Sequence, residues 1–463
     1  MIMDDTIAAI STPLGTGGIG IIRVSGPNAE KIARHLFKPS RSLETFESHH
    51  LYHGQIIAPE TGSVLDDVLM SIMKKPHSYT GDDTLEINCH GGLLILQHVL
   101  NEVVKAGARL AEPGEFTKRA FLNNRMDLSQ AEAIADMISA KTEKGLAIAV
   151  SQMDGRLRDR IEALKQKLVD ILAEIEVSID FSEDEREGES SDEIRLKIEE
   201  VITDLTALLA GYEQGKIYRQ GLNIIIMGKP NVGKSSLLNR LLGEKRAIVT
   251  PIPGTTRDFI EESVNIHGLP VRLTDTAGIR KPKNLIEETG IGMVWEKIAS
   301  TDGIIIVLDG SRPLSREDRD LLKHQNKQIT IVAINKSDLP QKMSIAEVKF
   351  LQPHMDTMPL PISAKYGDGI SDLKDRLYSL IMDDRKVDEY QPDILITGIR
   401  HKSAIEGARK RLLQAQNNIT GSPLPELTAF DVREALTCLD DITGKTTAED
   451  VLDRIFSQFC IGK

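Results

Sequence analysis

The chain has 463 residues, a net charge of −12 and 40% hydrophobic residues. That length exceeds what one hydrophobic core supports and predicts roughly three domains of ordinary size. The acidic balance argues against a protein that coats nucleic acid non-specifically, although it leaves room for a local basic site. No apolar run approaches the ~18 residues of a membrane span, no secretion signal is evident, and the scattered Cys89, Cys438 and Cys460 cannot form a disulfide framework. A cytoplasmic protein without a membrane partner is predicted.

Residues 1–125 contain short apolar runs separated by Gly, Pro and Asn, which predict strands and turns with a few helices, an α+β domain. From residue 126 the period becomes helical, and Leu157, Ile161 and Leu164 share one face. The helices are expected to end near Phe181, before an acidic loop over Ser182–Glu193.

A further helix over Ile194–Gln214 leads to residue 220, and helical patterning returns over residues 383–463, as Ser403–Asn418 and Asp431–Cys460. The simplest account is one discontinuous helical domain, made from residues 126–220 and 383–463, with another domain inserted between its two parts.

The inserted segment, residues 221–382, alternates strands with helices, which predicts a Ras-like, doubly wound α/β domain with ligand loops at the strand ends. The predicted strands are Leu222–Met227, Pro270–Leu273, Gly303–Leu308, Thr330–Asn335 and Leu360–Ile362. The predicted helices are Ser235–Leu242, Thr289–Ile298, Ser315–His324 and Ser371–Ile381.

The motif G-x-x-x-x-G-K-S over residues 228–235 follows the first of these strands and precedes a helix, as in a phosphate-binding P-loop. Gly228 and Gly233 allow backbone N–H groups to face phosphate oxygens. Lys234 is expected to neutralise the β- and γ-phosphates, and the Ser235 hydroxyl to bind Mg²⁺. The motif predicts a nucleoside triphosphate ligand.

Two further loops predict that this nucleotide is GTP. The carboxylate of Asp275, at the start of Asp275-Thr276-Ala277-Gly278, is predicted beside Mg²⁺, and Asp338 of Asn335-Lys336-Ser337-Asp338 can accept both hydrogen bonds of the guanine edge. Adenine lacks that donor pair, so a buried carboxylate would be left partly unpaired. Ser363 and Ala364, after the last strand, can add a backbone N–H toward the guanine oxygen.

The residue that would orient the attacking water needs a separate assignment. Ras-type GTPases place a glutamine after the D-x-x-G motif, but here Ile279 follows Gly278. Glu287 and Glu288 are acidic candidates, although a solvated helix start explains them equally well. In the loop Thr250–Asp258 a threonine can complete Mg²⁺ coordination, and Thr256 is assigned to it.

The chain as a whole resembles the tRNA-modification GTPase family MnmE, also called TrmE. The resemblance covers the GTPase loops and extends beyond them to motifs along the whole chain. These motifs are Asp5–Pro13, Gly15–Arg23, Tyr79–Asp83, Cys89–Gly92, Pro113–Asn123, Gly254–Asp258 and the chain end Phe459–Lys463.

The resemblance implies an N-terminal domain similar to folate-dependent aminomethyltransferases, a helical domain and an inserted G domain. It implies modification of the wobble uridine of certain tRNAs at C5, with an aminomethyl or carboxymethylaminomethyl group. The implied partners are a second copy of the chain, tRNA and the FAD-containing MnmG (GidA), in a heterotetramer. The implied cofactors are GTP, Mg²⁺, K⁺ and a 5-formyl- or methylene-tetrahydrofolate.

The resemblance also assigns residues. Glu287 falls on the family's water-orienting glutamate, and Cys460 on its required cysteine. The implied K⁺ ligands are Asn231, Thr250, Ile252 and Thr255, and the implied folate residues are Arg23, Glu86, Arg125 and Lys463. The full set expected to bind GTP is Gly228, Asn231, Val232, Gly233, Lys234, Ser235, Ser236, Thr250, Thr255, Thr256, Asp275, Thr276, Ala277, Gly278, Asn335, Lys336, Asp338, Ser363 and Ala364.

Alternatives remain at this stage. Taken from the sequence alone, each folate residue also fits a structural role, and the position of Arg125 is often Lys in the family. The basic residues Arg400, His401, Lys402, Arg409, Lys410 and Arg411 fit either a tRNA contact or a solvated helix face. A ribosome-assembly GTPase switch and a stand-alone folate-dependent one-carbon transferase are the competing functions.

Overall fold

The computed structural model describes residues 5–180, 191–243, 262–275, 301–323, 329–351, 358–384, 394–421 and 425–463. In the first part of the chain, residues of alternating burial pair into a seven-stranded sheet with the order β3-β4-β5-β6-β2-β1-β7. All pairings are antiparallel except β1 with β7. The elements are β1 Ile7–Ile10, β2 Ile19–Ser25, α1 Ala29–Leu36, β3 Phe37–Pro39, β4 His50–Ile57, β5 Val64–Met73, β6 Thr84–His90, α2 Leu93–Lys105, β7 Arg109–Leu110 and α3 Glu115–Leu122.

Helices follow this sheet. They are α4 Leu128–Ser139, α5 Glu143–Met153, α6 Arg156–Asp180, α7 Ser191–Ala210 and α8 Tyr212–Gln220. Asp127 begins α4 in a capping box, since its side chain accepts from the Gln130 N–H while the Gln130 side chain accepts from the Asp127 N–H. The single helix predicted over Ile194–Gln214 is wrong in detail, because α7 ends before Gly211 and α8 begins after it. Residues 191–193 of the predicted acidic loop form the first turn of α7.

The second sheet has the order β13-β12-β11-β8-β10-β9, and its strands are parallel except for the pair β10–β9. Its elements are β8 Leu222–Met227, α9 Lys234–Gly243, β9 Glu262–Ile266, β10 Leu269–Asp275, β11 Gly303–Asp309, α10 Arg316–Lys323, β12 Ile329–Asn335, α11 Ile345–Phe350, β13 Leu360–Pro361 and α12 Ile370–Asp384. The five predicted strands are present, and β9 is an antiparallel edge strand that the sequence reasoning missed. The helix predicted over Thr289–Ile298 lies outside the described residues.

After the second sheet the chain returns to the helices as α13 Ile399–Gly421, α14 Pro425–Thr443 and α15 Glu449–Phe456. The helical pattern predicted over Asp431–Cys460 corresponds to two helices, which are separated at Gly444, whose φ of +87° favours glycine. One hydrophobic core joins helices from both stretches, and it contains Leu164 and Leu168 of α6, Leu412 of α13 and Leu439 of α14. The helices before and after the second sheet thus form one bundle.

Candidate functional site

The P-loop packs directly on two strands of the second sheet. Gly228 and Gly233 have φ values of +151° and +101°, which side chains rarely adopt. A Cβ atom on Gly228 would lie 2.4 Å from the carbonyl oxygen of Val307, and one on Gly233 would lie 2.2 Å from Nδ2 of Asn335. Both glycines are therefore needed for the loop to approach β11 and the end of β12.

The first turn of α9 carries the polar groups that the P-loop motif predicts. Lys234 is 7% exposed, and its Nζ donates to the carbonyl oxygen of Lys229 at 2.8 Å, within the same loop. Ser235 and Ser236 follow on the exposed side of the turn. Because the positive end of the helix dipole lies at this turn, the loop offers an anion both a cation and aligned N–H groups.

Asn335 joins the P-loop to the loop after β13, at the same edge of the sheet. Its Nδ2 donates to the carbonyl oxygen of Val232 at 2.7 Å, and its Oδ1 accepts from the backbone N–H of Ala364 at 2.9 Å. Asn335 is 3% exposed, so these hydrogen bonds form away from solvent, where an unpaired amide is costly. One side chain thereby fixes the relative position of three predicted GTP-binding loops.

Lys336 makes a second connection between the same loops. Its Nζ donates to the carbonyl oxygen of Asn231 at 3.1 Å and to Oδ2 of Asp309 at 2.6 Å. Burial alone would raise the pKa of Asp309, but the hydrogen bonds from Lys336 and Ser311 outweigh it and lower the pKa. Asp309 therefore stays ionised and holds the lysine across the loops.

Asp338 is exposed, and its Oδ1 accepts from the Ser363 hydroxyl at 2.7 Å. Ser363 is fully buried, and its Oγ also accepts from the backbone N–H of Tyr366 at 3.2 Å. The sequence reasoning gave Ser363 and Ala364 only a backbone role toward guanine, so this orienting hydroxyl was missed. A Ser after the last strand, opposite the Asp of N-K-x-D, was the available signal.

Asn231 has a left-handed backbone conformation, with φ of +65°, and is exposed to solvent. Its carbonyl oxygen accepts a hydrogen bond from Nζ of Lys336. The predicted residues Thr250, Ile252, Thr255, Thr256, Thr276, Ala277, Gly278 and Glu287 lie outside the described residues, as does the side chain of Asp275, the last residue of β10. Within the described part of the chain, no cluster of three or more His, Cys, Asp or Glu residues could hold a metal ion.

A second group of predicted residues meets on the first sheet. Arg23 of β2 lies opposite Glu86 of β6, and its Nε donates to Oε1 of Glu86 at 2.9 Å. The guanidinium carbon lies 5.3 Å from the ring centroid of Tyr79. The ring face and the carboxylate together hold the arginine in one orientation.

The end of the chain completes this group. Nη1 of Arg23 approaches the carbonyl oxygen of Gly462 at 3.4 Å, and the Ser11 hydroxyl donates to the same oxygen at 3.1 Å. Burial and the nearby Arg23 cation lower the pKa of Lys463, although Glu86 partly offsets them. We refer to Arg23, Glu86, Gly462 and Lys463 as the Arg23 cluster.

Two other predicted residues lie near this cluster. Arg125 is exposed, and its side chain packs beside Gly81, where an added Cβ would lie 3.3 Å from Cγ of Arg125. Cys460 is a free, exposed cysteine whose carbonyl oxygen accepts from the backbone N–H of Lys463 at 3.3 Å. The structure thus brings Arg23, Glu86 and Lys463 together and sets Arg125 beside the loop that carries Tyr79.

The predicted basic surface on α13 is smaller than expected. His401 is 2% exposed, and Arg400 donates through Nε to Oε1 of Glu132 at 3.0 Å. Arg411 forms ion pairs with Asp431 and Glu434 of α14. His401 is therefore buried and Arg400 is half-buried in ion pairs, and a nucleic-acid contact on α13 would have to use mainly the remaining basic residues. Among the described residues, no helix is long and apolar enough to cross a membrane.

A parallel sheet whose P-loop is tied by Asn335 to the N-K-x-D loop defines a P-loop GTPase. Two family models match the chain, the GTP-binding protein TrmE N-terminus over residues 6–125 and the MnmE helical domain over residues 128–460. The chain belongs to the MnmE family.

Relatives match over the full length of both chains. Proteins named tRNA modification GTPase MnmE from Syntrophus aciditrophicus, Carboxydothermus hydrogenoformans and Geobacter sulfurreducens are 52%, 46% and 44% identical, each over 100% of this chain and 100% of its own length. A solved G domain of the T. maritima FeoB iron transporter is 23% identical, covers 35% of this chain and 98% of its own, and superposes with a TM-score of 0.27.

Proposed function

We propose that this chain is a K⁺-stimulated GTPase whose hydrolysis drives C5 aminomethyl or carboxymethylaminomethyl modification of the wobble uridine in certain tRNAs. The observation that carries the proposal is the side-chain amide of Asn335. It hydrogen-bonds both the P-loop, at Val232, and the loop after β13, at Ala364, which is predicted to contact guanine. Full-length relatives named tRNA modification GTPase MnmE support the link to tRNA modification. The chain would act in the cytoplasm.

The proposed domain boundaries follow the sequence. Residues 1–125 would form a folate-binding and dimerisation domain, 126–220 and 383–463 a helical domain, and 221–382 the G domain. The shared core of α6, α13 and α14 supports the discontinuous helical domain. A homodimer would join a FAD-containing MnmG in a heterotetramer, with tRNA as the substrate.

GTP recognition would divide between two groups of loops at one edge of the second sheet. The P-loop, from Gly228 to Ser236, would hold the phosphates, with Lys234 as the cation and Ser235 with Thr256 as Mg²⁺ ligands. At the same edge, in the loops after β12 and β13, Asp338 would accept the two guanine donors while Ser363 keeps one carboxylate oxygen oriented. An oriented carboxylate rejects bases that lack those donors.

Hydrolysis would need charge neutralisation and an oriented water molecule. We assign K⁺ to the side chain of Asn231 with Thr250, Ile252 and Thr255, where a cation would offset charge on oxygens as the β–γ bond breaks. Glu287 would orient the water, since Ile279 cannot. The exposed side chain of Asn231 supports its part of this assignment.

The side chains of the Arg23 cluster are of the types that a folate would need, one carboxylate and two cations. Glu86 suits the N–H and amine edge of a pterin, while the cationic Lys463 and Arg23 suit a carboxylate tail. The bound folate would supply a one-carbon unit. The residues of this chain would bind and orient it, with Arg125 as a further cation near the Tyr79 loop and Cys460 as a functional thiol.

Deleting the gene tests the proposed function. Mass analysis of tRNA from the deletion strain should show the C5 group missing from wobble uridine, restored by the wild-type gene. Unchanged modification would end the proposal and favour the ribosome-assembly switch, which predicts defective ribosomal particles instead. A stand-alone one-carbon transferase predicts that modification survives inactivation of the GTPase.

Glu287→Ala should leave GTP affinity nearly intact and lower the hydrolysis rate by about 10²-fold or more, the scale for losing a positioned catalytic group. Equilibrium nucleotide binding and single-turnover hydrolysis in K⁺ separate the two effects. Glu288→Ala is the matched control and should retain the wild-type rate. Full turnover by Glu287→Ala would make Glu287 a surface carboxylate.

Replacing K⁺ by Na⁺ should lower GTP hydrolysis by roughly tenfold, because the smaller ion fits a site built for K⁺ poorly and neutralises the developing charge less well. The rate is measured at constant ionic strength, and Asn231→Ala should abolish the difference between the two ions. Equal rates in K⁺ and Na⁺ with the wild-type protein would remove K⁺ from the proposal.

A further inference from the structure

Helix α4 contacts both segments that connect the helical bundle to the second sheet: α8, which precedes β8, and the start of α13. Glu132 and Asp136 lie one turn apart on the same face of α4. Asp136 accepts from Nε of Arg219 at 2.7 Å, at the end of α8, the helix that leads into β8. Glu132 binds the start of α13, where the chain returns, through Arg400 and through Nε2 of His401 at 2.7 Å.

These pairs are largely removed from solvent. The side chains of Glu132 and Asp136 are 15% and 12% exposed. Burial would raise the pKa of Glu132, but His401 and Arg400 outweigh it and lower the pKa, so the carboxylate stays ionised. Breaking a buried pair leaves an uncompensated charge, and these contacts therefore act as a fixed support.

Helix α5 contacts the same two connections, α8 before the second sheet and the returning segment before α13. Nε2 of Gln152 donates to the carbonyl oxygen of Leu395 at 2.8 Å, on the returning segment. A Cβ on Gly145 would lie 2.9 Å from the carbonyl oxygen of Tyr218, so only glycine permits this approach to α8. The Nζ of Lys144 lies 5.6 Å from the ring centroid of Tyr218.

The connection between α4 and α5 also reaches the edge of the second sheet. Nζ of Lys141 donates to the Ser263 hydroxyl of β9 at 2.8 Å. Lys144 packs on the turn between β9 and β10, where a Cβ on Gly268 would lie 3.0 Å from its Cδ. Both lysines are exposed, so these contacts can break at little cost, unlike the buried pairs of α4.

β9 follows residues 244–261 directly in the chain, the segment to which the proposed Mg²⁺ and K⁺ ligands Thr250, Thr255 and Thr256 belong. Within the described residues, Ser263 lies opposite Arg272 of β10, and β10 pairs with β8, the strand that leads into the P-loop. We propose that Lys141 and Ser263 form a positioning contact through which the helical bundle senses the nucleotide state of the second sheet. This inference rests on the proposed function, and the fixed support is α4 with its two carboxylates.

Hydrogen exchange on the full-length protein tests the inference without requiring tRNA modification. In the wild type, a non-hydrolysable GTP analogue with Mg²⁺ should slow exchange in the first turn of α5 by about threefold or more, because the contact becomes persistent. Lys141→Gln and Ser263→Ala should each abolish that slowing while GTP hydrolysis stays within about twofold of wild type. In complemented deletion cells, both variants should lower wobble-uridine modification several-fold.

The two variants remove one bond from opposite sides, and only one of them removes a charge. The double variant should therefore be no worse than either single variant. Lys216→Gln in α8, which removes a lysine charge from a helix that carries neither partner, should behave as wild type. An effect of Lys141→Gln that Ser263→Ala does not share would overturn the inference.

Wild-type protein that binds the analogue without slowing exchange in α5 would also overturn it, while leaving the proposed GTPase function standing. Wild-type protein that fails to bind GTP would instead remove the proposed function, and this inference with it.

Discussion

The nucleotide-binding loops all lie at one edge of one sheet, whereas the Arg23 cluster joins two strands near the N-terminus to the last residues of the chain. In the first region, parallel strands bring the P-loop and the loop from Asn335 to Asp338 together by topology. In the second, the contact between Arg23 and Gly462 spans 439 positions of sequence. The loops therefore depend on local backbone geometry, and the cluster depends on docking of the chain end.

This difference predicts how each region fails. Changes at the loops should alter nucleotide binding sharply and leave the Arg23 cluster intact. Changes at the chain end should affect only ligands of the first sheet, since Lys463 faces Arg23 and Glu86 there.

The largest effect is expected for Asp338→Asn. An asparagine offers one donor and one acceptor, which suits the additional oxygen of xanthine in place of the guanine amine. The ratio of GTP to XTP affinity should fall by about 10⁴-fold, the scale on which a site built to hydrogen-bond a group rejects an analogue that lacks it. Fluorescent-nucleotide titration with both nucleotides measures it. Ser363→Ala, which removes the orienting hydrogen bond to Asp338 together with the one from the Tyr366 N–H, should keep the preference for GTP at reduced affinity.

An unchanged preference for GTP in Asp338→Asn would mean that guanine is read elsewhere. Folate binding should be unaffected by either variant, since both residues lie on the second sheet.

Gly233→Ala should lower GTP affinity by roughly 10²-fold, because the added Cβ enters a position with φ of +101° and meets the Asn335 amide at 2.2 Å. The clash breaks the hydrogen bond from Asn335 to Val232 and separates the P-loop from the guanine-type loop. Isothermal titration with GTP measures the loss.

Gly243→Ala is the control for this change, because an added Cβ at Gly243 meets nothing within 4 Å. It should bind GTP as the wild type does. Wild-type affinity in Gly233→Ala would show that the two loops bind independently, and the contrast between the two regions would then lose its basis.

The sequence predicted the nucleotide-binding loops better than it predicted the Arg23 cluster. The P-loop and its strand could be predicted because spacing, strand and helix are adjacent in the chain, and β8, β10, β11 and β12 followed from apolar runs. The edge strand β9 was missed, since it is short and only its Val264 and Ile266 are apolar, which gives a weak pattern. The orienting role of Ser363 was missed because it depends on a side chain 25 positions away.

For the Arg23 cluster, no local pattern in the sequence indicates that Arg23, Glu86 and Lys463 meet. Only the family resemblance selected them, and the tertiary packing of the chain end against β1 and β2 brings them together. The burial of Arg400 and His401 has the same origin. A basic run on a helix looks solvated until its partner Glu132, 268 positions away, is known.

The smallest effect is expected for Lys463→Ala, which should lower affinity for a tetrahydrofolate by about tenfold, the scale of one partly buried charge-assisted contact, without changing GTP affinity. Burial and Arg23 lower the pKa of Lys463, which means that its ammonium form is destabilised in the free protein. An anionic ligand would stabilise that charged form. Folate affinity should therefore be full at neutral pH and decline as pH rises through the lowered pKa of Lys463, below the ordinary value of 10.5. Lys463→Arg, which stays charged, should remove this decline. Titration calorimetry across pH measures it, and a decline that persists in Lys463→Arg would assign the titrating group to another residue.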